Sequence, residues 1–448
     1  MIEIKRQDTV QRCTDGACPV HASREPLPRT VGGLSGSCET LPQTVGRLSE
    51  SCETLPKTVG RLSPHNKNKA TNFNNNIIFR FMKRQIKSNR VFKFMRTHIA
   101  FYQSVFVFVF CLALSSCDSK PTEEPEDSDF DVWVLNEGLW NGNNGSITAY
   151  NTSTQATTAD IYSSANNGQL LGDTPNDIQL YGSKVYVAVS VSSQINVLDA
   201  QTGVSVKQLP IAANGTGSQP RQIACHNGKV YVCCFDGSVV KIDTATLEIE
   251  STAKAGRNPD GICVANNKLY VSNSGGMDFP NYDNTVSVFD VNTLAVVKTI
   301  TVRMNPTQMK ADKNGNIYLV SIGNYDDTPS ALQRINTTTD QVEELFEGIS
   351  GFDMYNDYLY FYYADFMLGT TFQIFDILQD SIVNKNFISG GDLPTTPNGI
   401  SVNPRTGDVY IFDALDYKST GDVYCFDKNG NKKFTFEAGI IPKKAIFK

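Results

Sequence analysis

The chain has 448 residues and a formal net charge of −6, and the charge is unevenly divided. Residues 1 to 116 hold 17 Lys+Arg against 7 Asp+Glu, a balance of +10, whereas residues 118 to 448 hold 23 against 39, a balance of −16. The acidic balance of the long region and its lack of a basic stripe disfavour nucleic acid as a partner, and the basic start points to a targeting segment.

Taken in chain order, residues 1 to 81 contain a 14-residue tandem copy, beginning at Ser37 and again at Ser51. Near-perfect short repeats ahead of a leader, here differing only at Gln43/Lys57 and Glu50/Pro64, suggest translated upstream DNA or a disordered extension, with the true start at Met82 or Met95. The Leu-Pro-x-Thr within the repeat lacks the following Gly of a sorting signal and stands at the wrong end.

Residues 82 to 116 read as a signal peptide. Lys83, Arg84, Lys87, Arg90, Lys93 and Arg96 precede an apolar run from Ile99 to Leu114, which ends in Leu114-Ser-Ser-Cys117. The competing reading is a transmembrane helix, for which that run is short. The pattern resembles the lipoprotein signal of Gram-negative bacteria, and the resemblance implies that Cys117 becomes the lipidated first residue, anchored to a membrane without spanning it. Residues 117 to 130 follow as an acidic, proline-bearing tether with nothing to bury. Such tracts resemble those that send some lipoproteins to the outer face of the outer membrane.

From residue 131 onward one phrase recurs. A proline or small residue is followed three positions later by an aliphatic one, then a turn, a Tyr-centred apolar strand, and a strand ending in Asp. The phrase begins at Pro175, Pro220, Pro259, Pro306, Gly351, Pro397 and Pro442, at intervals of 45, 39, 47, 45, 46 and 45 residues. That is the period of a four-stranded propeller blade. In the fourth unit, Pro259 to Val264 is the expected inner strand, and Lys268 to Ser272 follows a tight Asn266-Asn267 turn. Thr285 to Asp290 and Ala295 to Ile300 complete that unit.

The first unit starts at Asp131 with a second-strand pattern and has no inner strand of its own, while Ile441 to Phe447 has that missing pattern. The expected fold is therefore an all-β, seven-bladed propeller over residues 131 to 448, closed by the C-terminal strand pairing into the first blade. A helical solenoid fails for want of 3.6-residue apolar periodicity. A six- or eight-bladed ring competes because the Gly351 unit lacks its proline.

Catalytic and metal chemistry is sparse. After Cys117 there is one histidine, His226, expected as an exposed turn neighbour, and it cannot make a His-rich zinc site. No Ser-His-Asp arrangement or G-x-S-x-G stands out, so no enzyme, cofactor or metal centre is expected. The five remaining cysteines, Cys225, Cys233, Cys234, Cys263 and Cys425, are an odd number, which argues against a complete disulfide framework. Buried thiols are expected, with adjacent Cys233 and Cys234 on opposite faces of their strand. Tyr325-Asp-Asp327 and Asn281-Tyr-Asp-Asn284 offer calcium-type oxygens, although solvated loops have the same composition.

In a propeller, the loop leading into each inner strand and the loop joining strands two and three open on one face. The second kind carries Asn136, Trp140, Phe279, Tyr282, Tyr325, Asp365, Phe366 and Tyr417. The first kind supplies Asp177, Arg221 and Arg257, together with Asp173, Asn176, Arg303 and Asn398. Aromatic anchors with convergent polar groups suit a concave small-molecule site, while the competing role for Trp140, Phe279 and Phe366 is to plug the channel.

Four segments carry a family resemblance: Val134-Leu-Asn-Glu-Gly138, Pro175-Asn-Asp-Ile178, Asn273-Ser-Gly-Gly276 with Pro280-Asn-Tyr-Asp-Asn-Thr-Val-Ser-Val288, and Val423-Tyr-Cys-Phe-Asp-Lys-Asn-Gly430. Over residues 117 to 448 the chain resembles the YncE-like surface lipoprotein propellers of gut anaerobes, and within them the cobalamin-binding BtuG type. The resemblance implies a protein that captures a corrinoid outside the cell and hands it to a TonB-dependent outer-membrane transporter. A propeller lyase or lactonase and a glycan- or protein-binding surface propeller are the alternatives, since the fold hosts all three.

Overall fold

Each expected unit start is the first residue of an inner strand in the computed structural model, which describes residues 130–448 apart from Met277, residues 366–368 and residues 389–392. The upstream extension, the signal peptide, Cys117, the tether up to residue 129 and Phe366 lie outside the described residues, while Phe130 packs against the apolar layer between blades one and two.

Seven four-stranded antiparallel sheets follow one another around a ring. Blade four runs Pro259–Ala265, Lys268–Asn273, Thr285–Asp290 and Val296–Thr301, within one residue of the expected bounds. The other inner strands are Pro175–Tyr181, Pro220–His226, Pro306–Ala311, Gly351–Tyr355, Pro397–Val402 and Pro442–Phe447. Proline suits this place because a strand's first residue can lack an N–H without breaking the ladder. In the six proline-led strands the register shifts just after the proline, as between Pro259 and Ile262. Gly351 begins the one inner strand that pairs without such a bulge. The missing proline therefore marks a change of register, and the blade itself is intact.

The Asp that ends the third strand also has a physical reason. Its side chain caps the turn into the outer strand by accepting backbone N–H groups two and three residues on. Asp290 accepts from Asn292 at 3.0 Å and Thr293 at 2.9 Å. Asp199, Asp243 and Asp376 do the same, and asparagine serves at Asn151 and Asn336.

The ring closes as the sequence implies. Pro442–Phe447 pairs antiparallel with Val132–Asn136, placing Val132 opposite Phe447 and Trp133 opposite Ile446. Three lysines fasten this strand. Lys443 Nζ lies 2.7 Å from Glu137, Lys444 Nζ lies 2.6 Å from Asp177, and Lys448 Nζ sits 4.5 Å above the Trp133 ring. Blade one differs in its outer strand, which is only Thr157–Thr158 and is followed by a five-residue helix, Ile161–Ala165, capped by Asp160.

The core is a set of seven apolar layers between neighbouring blades. The layer joining blade seven to blade one holds Val132, Val134 and Tyr150 against Tyr410, Phe412 and Phe436. Tyr150 and Phe436 stack at 4.1 Å. Cys233 and Cys234 fall in different layers, as the strand alternation requires, and all five described cysteines are free. His226 departs from expectation: it is half-buried, with Nε2 closed off from solvent, and beside it the Tyr181 hydroxyl of the preceding blade accepts the Gly228 N–H at 2.8 Å. No helix of the described residues is long and apolar enough to cross a membrane.

At the channel the inner strands are stitched from blade to blade. The third residue of the phrase reaches the next backbone at Asp177, Gln308 and Asp353, and is glycine at Gly261 and Gly399. Asp177 Oδ2 accepts the Ile223 N–H at 2.8 Å, and Gln308 exchanges two hydrogen bonds with Phe352. Where glycine stands, the next strand comes closer still: a Cβ on Gly261 would lie 1.9 Å from the Thr307 carbonyl oxygen, and one on Gly399 would lie 2.0 Å from that of Lys443.

Candidate ligand-binding face

One hydrogen-bond motif fixes which loops share a face. The residue leaving strand two donates its N–H to the carbonyl just before the inner strand. This occurs from Glu137 to Ile441 (2.9 Å), Ser190 to Thr174 (2.9 Å), Phe235 to Gln219 (2.9 Å), Ser274 to Asn258 (3.2 Å), Ile322 to Asn305 (2.9 Å) and Ala414 to Thr396 (2.9 Å). In blade six Ser350 donates to Tyr362 at 2.8 Å instead. The two kinds of loop therefore meet on one face in every blade. The acceptor residue is turned to positive φ at Thr174 (54°) and Ile441 (56°), a strained conformation for β-branched side chains that these bonds help to hold.

On this face the structure joins three of the expected residues directly. Phe279 and Tyr282 of blade four meet edge to face at 6.2 Å between ring centroids, and Tyr282 meets Tyr325 of blade five at 6.1 Å. Both spacings are those of favourable aromatic pairs. The two end rings are open to solvent, Phe279 at 66% and Tyr325 at 56% exposure, while Tyr282 between them is half-buried. Burial raises the Tyr282 hydroxyl pKa.

Arg257 spans the loop that carries the first two rings. Its Nη1 lies 2.7 Å from Asp278, its Nη2 lies 2.6 Å from Asp283, and Nη2 also donates to the Asn281 carbonyl at 2.9 Å. The hydrogen bonds to Asp283 and Asp278 raise the guanidinium pKa, and the Arg257 bond lowers that of Asp278.

Trp140 projects from blade one at 42% exposure. Its loop is pinned by the Asp173 carboxylate, which accepts the N–H groups of Asn141 at 3.1 Å and Asn143 at 3.3 Å. Trp140 stands three blades from the Phe279 cluster. Tyr417 is half-buried at positive φ in blade seven, beside Asp416, whose carboxyl is held below its usual range by the N–H groups of Ser419 and Lys418. Asp365 accepts the Tyr363 hydroxyl at 3.1 Å. It ends a strand that continues three residues past Tyr362, the partner of Gly351, so this hairpin rises roughly 10 Å above its register start.

Three expected ligand residues are placed inside the wall. Asn136 is fully buried, and its Nδ2 donates to Ser146 and Thr148 hydroxyls at 3.0 Å each. Asn273 braces blade four in the same way through Thr285 and Ser287, so Asn136 belongs to an internal pattern of strand two. Asp177 is 2% exposed and occupied by Lys444 and the Ile223 N–H. Arg221 is 3% exposed, with Nε 2.7 Å from Asp260 and its guanidinium 5.1 Å over the Phe235 ring. Asp177 and Arg221 serve the contact between blades, while Asn136 braces its own.

Sequence reasoning passed over Glu137 and Asp413, which with the expected Asp173 are the buried carboxylates that organise the face. Asp413 accepts the N–H groups of Thr395 (2.7 Å) and Thr396 (2.8 Å), tying the lead-in loop of blade seven to its second strand. Its position at the end of strand two, matching Asn136 and Asn273, is the signal that would have found it. Of the calcium-type loops, Asp283 is engaged by Arg257 and Asp327 by Asn324 and Thr328. Among the described residues no group of three or more His, Cys, Asp or Glu is arranged to hold a metal.

No curated protein matches the chain. A quinonprotein alcohol dehydrogenase-like protein from Bacteroides thetaiotaomicron is similar in structure, at 18% identity and a TM-score of 0.54, covering 71% of this chain and 78% of that one. Hydrazine synthase of Kuenenia stuttgartiensis aligns at 16% identity and a TM-score of 0.48, over 57% of this chain and 77% of that one. At such identity the former likeness speaks for the propeller fold alone. Residues 131–440 match the family described as a domain of unknown function, DUF5074, and the chain belongs to that family.

Proposed function

We propose that this protein is a lipid-anchored binder that captures a corrinoid, cobalamin or a close relative, on its loop face and passes it to a TonB-dependent outer-membrane transporter. The observation that carries the reading is the run of Phe279, Tyr282 and Tyr325 across blades four and five, with its end rings turned to solvent. Exposed aromatic faces grouped on one rim favour a broad, flat ligand over a small polar one. A corrin ring with amide-bearing edges has that shape and would find hydrogen-bond acceptors in the neighbouring Asp and Asn side chains. The sequence resemblance to cobalamin-binding surface propellers points the same way. The apolar run ending at Cys117 supports export and lipidation, and the acidic tether after it supports a place on the outer surface. Capture and release need no covalent step, so the protein is read as a binder without a cofactor of its own.

Titration of the mature chain with cyanocobalamin in a calorimeter tests this. Saturable heat at micromolar ligand is the expected result, and its absence overturns the corrinoid reading. Recovery of polysaccharide in a pull-down would redirect the function to glycan binding, and a hydrolytic or lyase activity lost on chelation would redirect it to catalysis.

A further inference from the structure

The loop from Asp278 to Asp283 carries two aromatic rings, Phe279 open to solvent and Tyr282 half-buried, and buries little of its own surface. Its base is tied to the blade, since Asp283 donates its N–H to the Ser274 carbonyl at 2.9 Å and Asn305 donates to the Asp283 carbonyl at 2.7 Å. Nearer the tip, the backbone bonds are short-range turns, from Asp278 to Gly275 (3.0 Å) and from Asn281 to Asp278 (2.5 Å). Arg257 reaches this segment at residues 278, 281 and 283, so its three points of contact bracket Phe279 and Tyr282 in sequence. The guanidinium is planar and bonds Asp283 through both Nε and Nη2, a fork that a lysine cannot reproduce.

We infer that Arg257 is a positioning residue of the ligand face, whose clamp on Asp278, Asn281 and Asp283 sets Phe279 and Tyr282 in place before any ligand arrives. This rests on reading the aromatic run as the ligand site. The donors of Arg257 are turned onto the protein, so it acts through the rings. Without it, the carboxylates of Asp278 and Asp283 lose their shared cation, and the loop must be ordered by the ligand at a cost in affinity. The face is also left without a free positive charge at this point, which suits a ligand recognised by its flat surface over one recognised as an anion.

The test joins a measurement blind to ligand with one that reads it. Amide exchange across residues 278 to 283 is compared in the wild-type mature protein, Arg257→Ala, Arg257→Lys and Asp278→Asn, and each is titrated with cyanocobalamin. The expected result for Arg257→Ala is exchange about tenfold faster at Asp278 and Asn281, unchanged exchange in the strands of blade four, and affinity lower by about tenfold. Arg257→Lys and Asp278→Asn should fall between, in both measurements. Unchanged exchange with lost affinity would make Arg257 a direct ligand contact and overturn the inference. Faster exchange with unchanged affinity would overturn it too, since the rings would then need no placing. If the wild-type protein takes up no cyanocobalamin, the corrinoid reading fails, and the exchange data still decide whether Arg257 holds the loop.

Discussion

Arg221 and Arg257 stand at the same end of successive inner strands, yet the first is 3% exposed and the side chain of the second is 51% exposed. Arg221 points along the channel wall to Asp260 on the next blade. Arg257 points up, away from the ring, into a loop of its own blade. In the wall, polar side chains join one blade to the next and are shut off from solvent. On the rim, they hold individual loops while aromatic rings are left uncovered. Adhesion between blades and presentation of the proposed ligand face are thus divided between positions only a few residues apart.

The largest effect that would break this division is expected in the wall. Arg221→Ala leaves Asp260 buried without its cation, and breaking such a pair costs about 3–5 kcal/mol. Chemical unfolding should register that loss. The double variant Arg221→Ala/Asp260→Ala should regain much of it, because no lone charge then remains. Should Arg221→Ala leave stability intact and abolish cyanocobalamin binding, the wall and the rim would not be separate in function.

A smaller effect of opposite character is expected on the rim. Tyr282 contacts a ring on each side, so Tyr282→Ala removes the middle of the run and should weaken binding about tenfold while shifting stability by less than about 1 kcal/mol. Trp140→Ala and Tyr417→Ala should cost less, since they stand on blades one and seven and the Phe279 cluster on blades four and five. Equal losses at all three positions would instead indicate a ligand lying across the whole mouth.

The fold was readable because its punctuation is local. Proline at the start of inner strands and Asp at the turn after strand three obey backbone chemistry that recurs whatever the neighbours are. The displaced strand at Pro442 followed from counting those marks. The site was only half readable. Phe279, Tyr282 and Tyr325 could be assigned to the rim from loop position, and they meet there. Asn136, Asp177 and Arg221 could not be separated from them, because their burial depends on how closely the adjacent blade approaches. That distance is set by packing between residues some 45 positions apart, and a single unit does not encode it. Glu137 escaped notice for the same reason, as its partner Lys443 lies at the other end of the chain.

The mildest prediction concerns the turns that both regions share. The carboxyl of Asp290 is lowered from its ordinary pKa, first by the Thr293 backbone N–H and then by the Thr293 hydroxyl and the Asn292 N–H. A carboxyl whose folded pKa lies below its unfolded value of about 3.9 adds stability above that value and loses it as the pH falls through the folded one. Unfolding followed against pH should therefore show part of the acid sensitivity arising at such turns. Nature has already varied this position within the chain, since Asn151 and Asn336 make the same pair of backbone bonds without an ionisable group. Asp290→Asn should accordingly keep its turn and its stability at neutral pH while flattening the decline below about pH 4. A variant as acid-sensitive as the wild type would mean that the backbone N–H groups bind the protonated and charged forms of Asp290 alike. A variant less stable at neutral pH would mean that the turn of blade four needs the charge, unlike those of blades one and five.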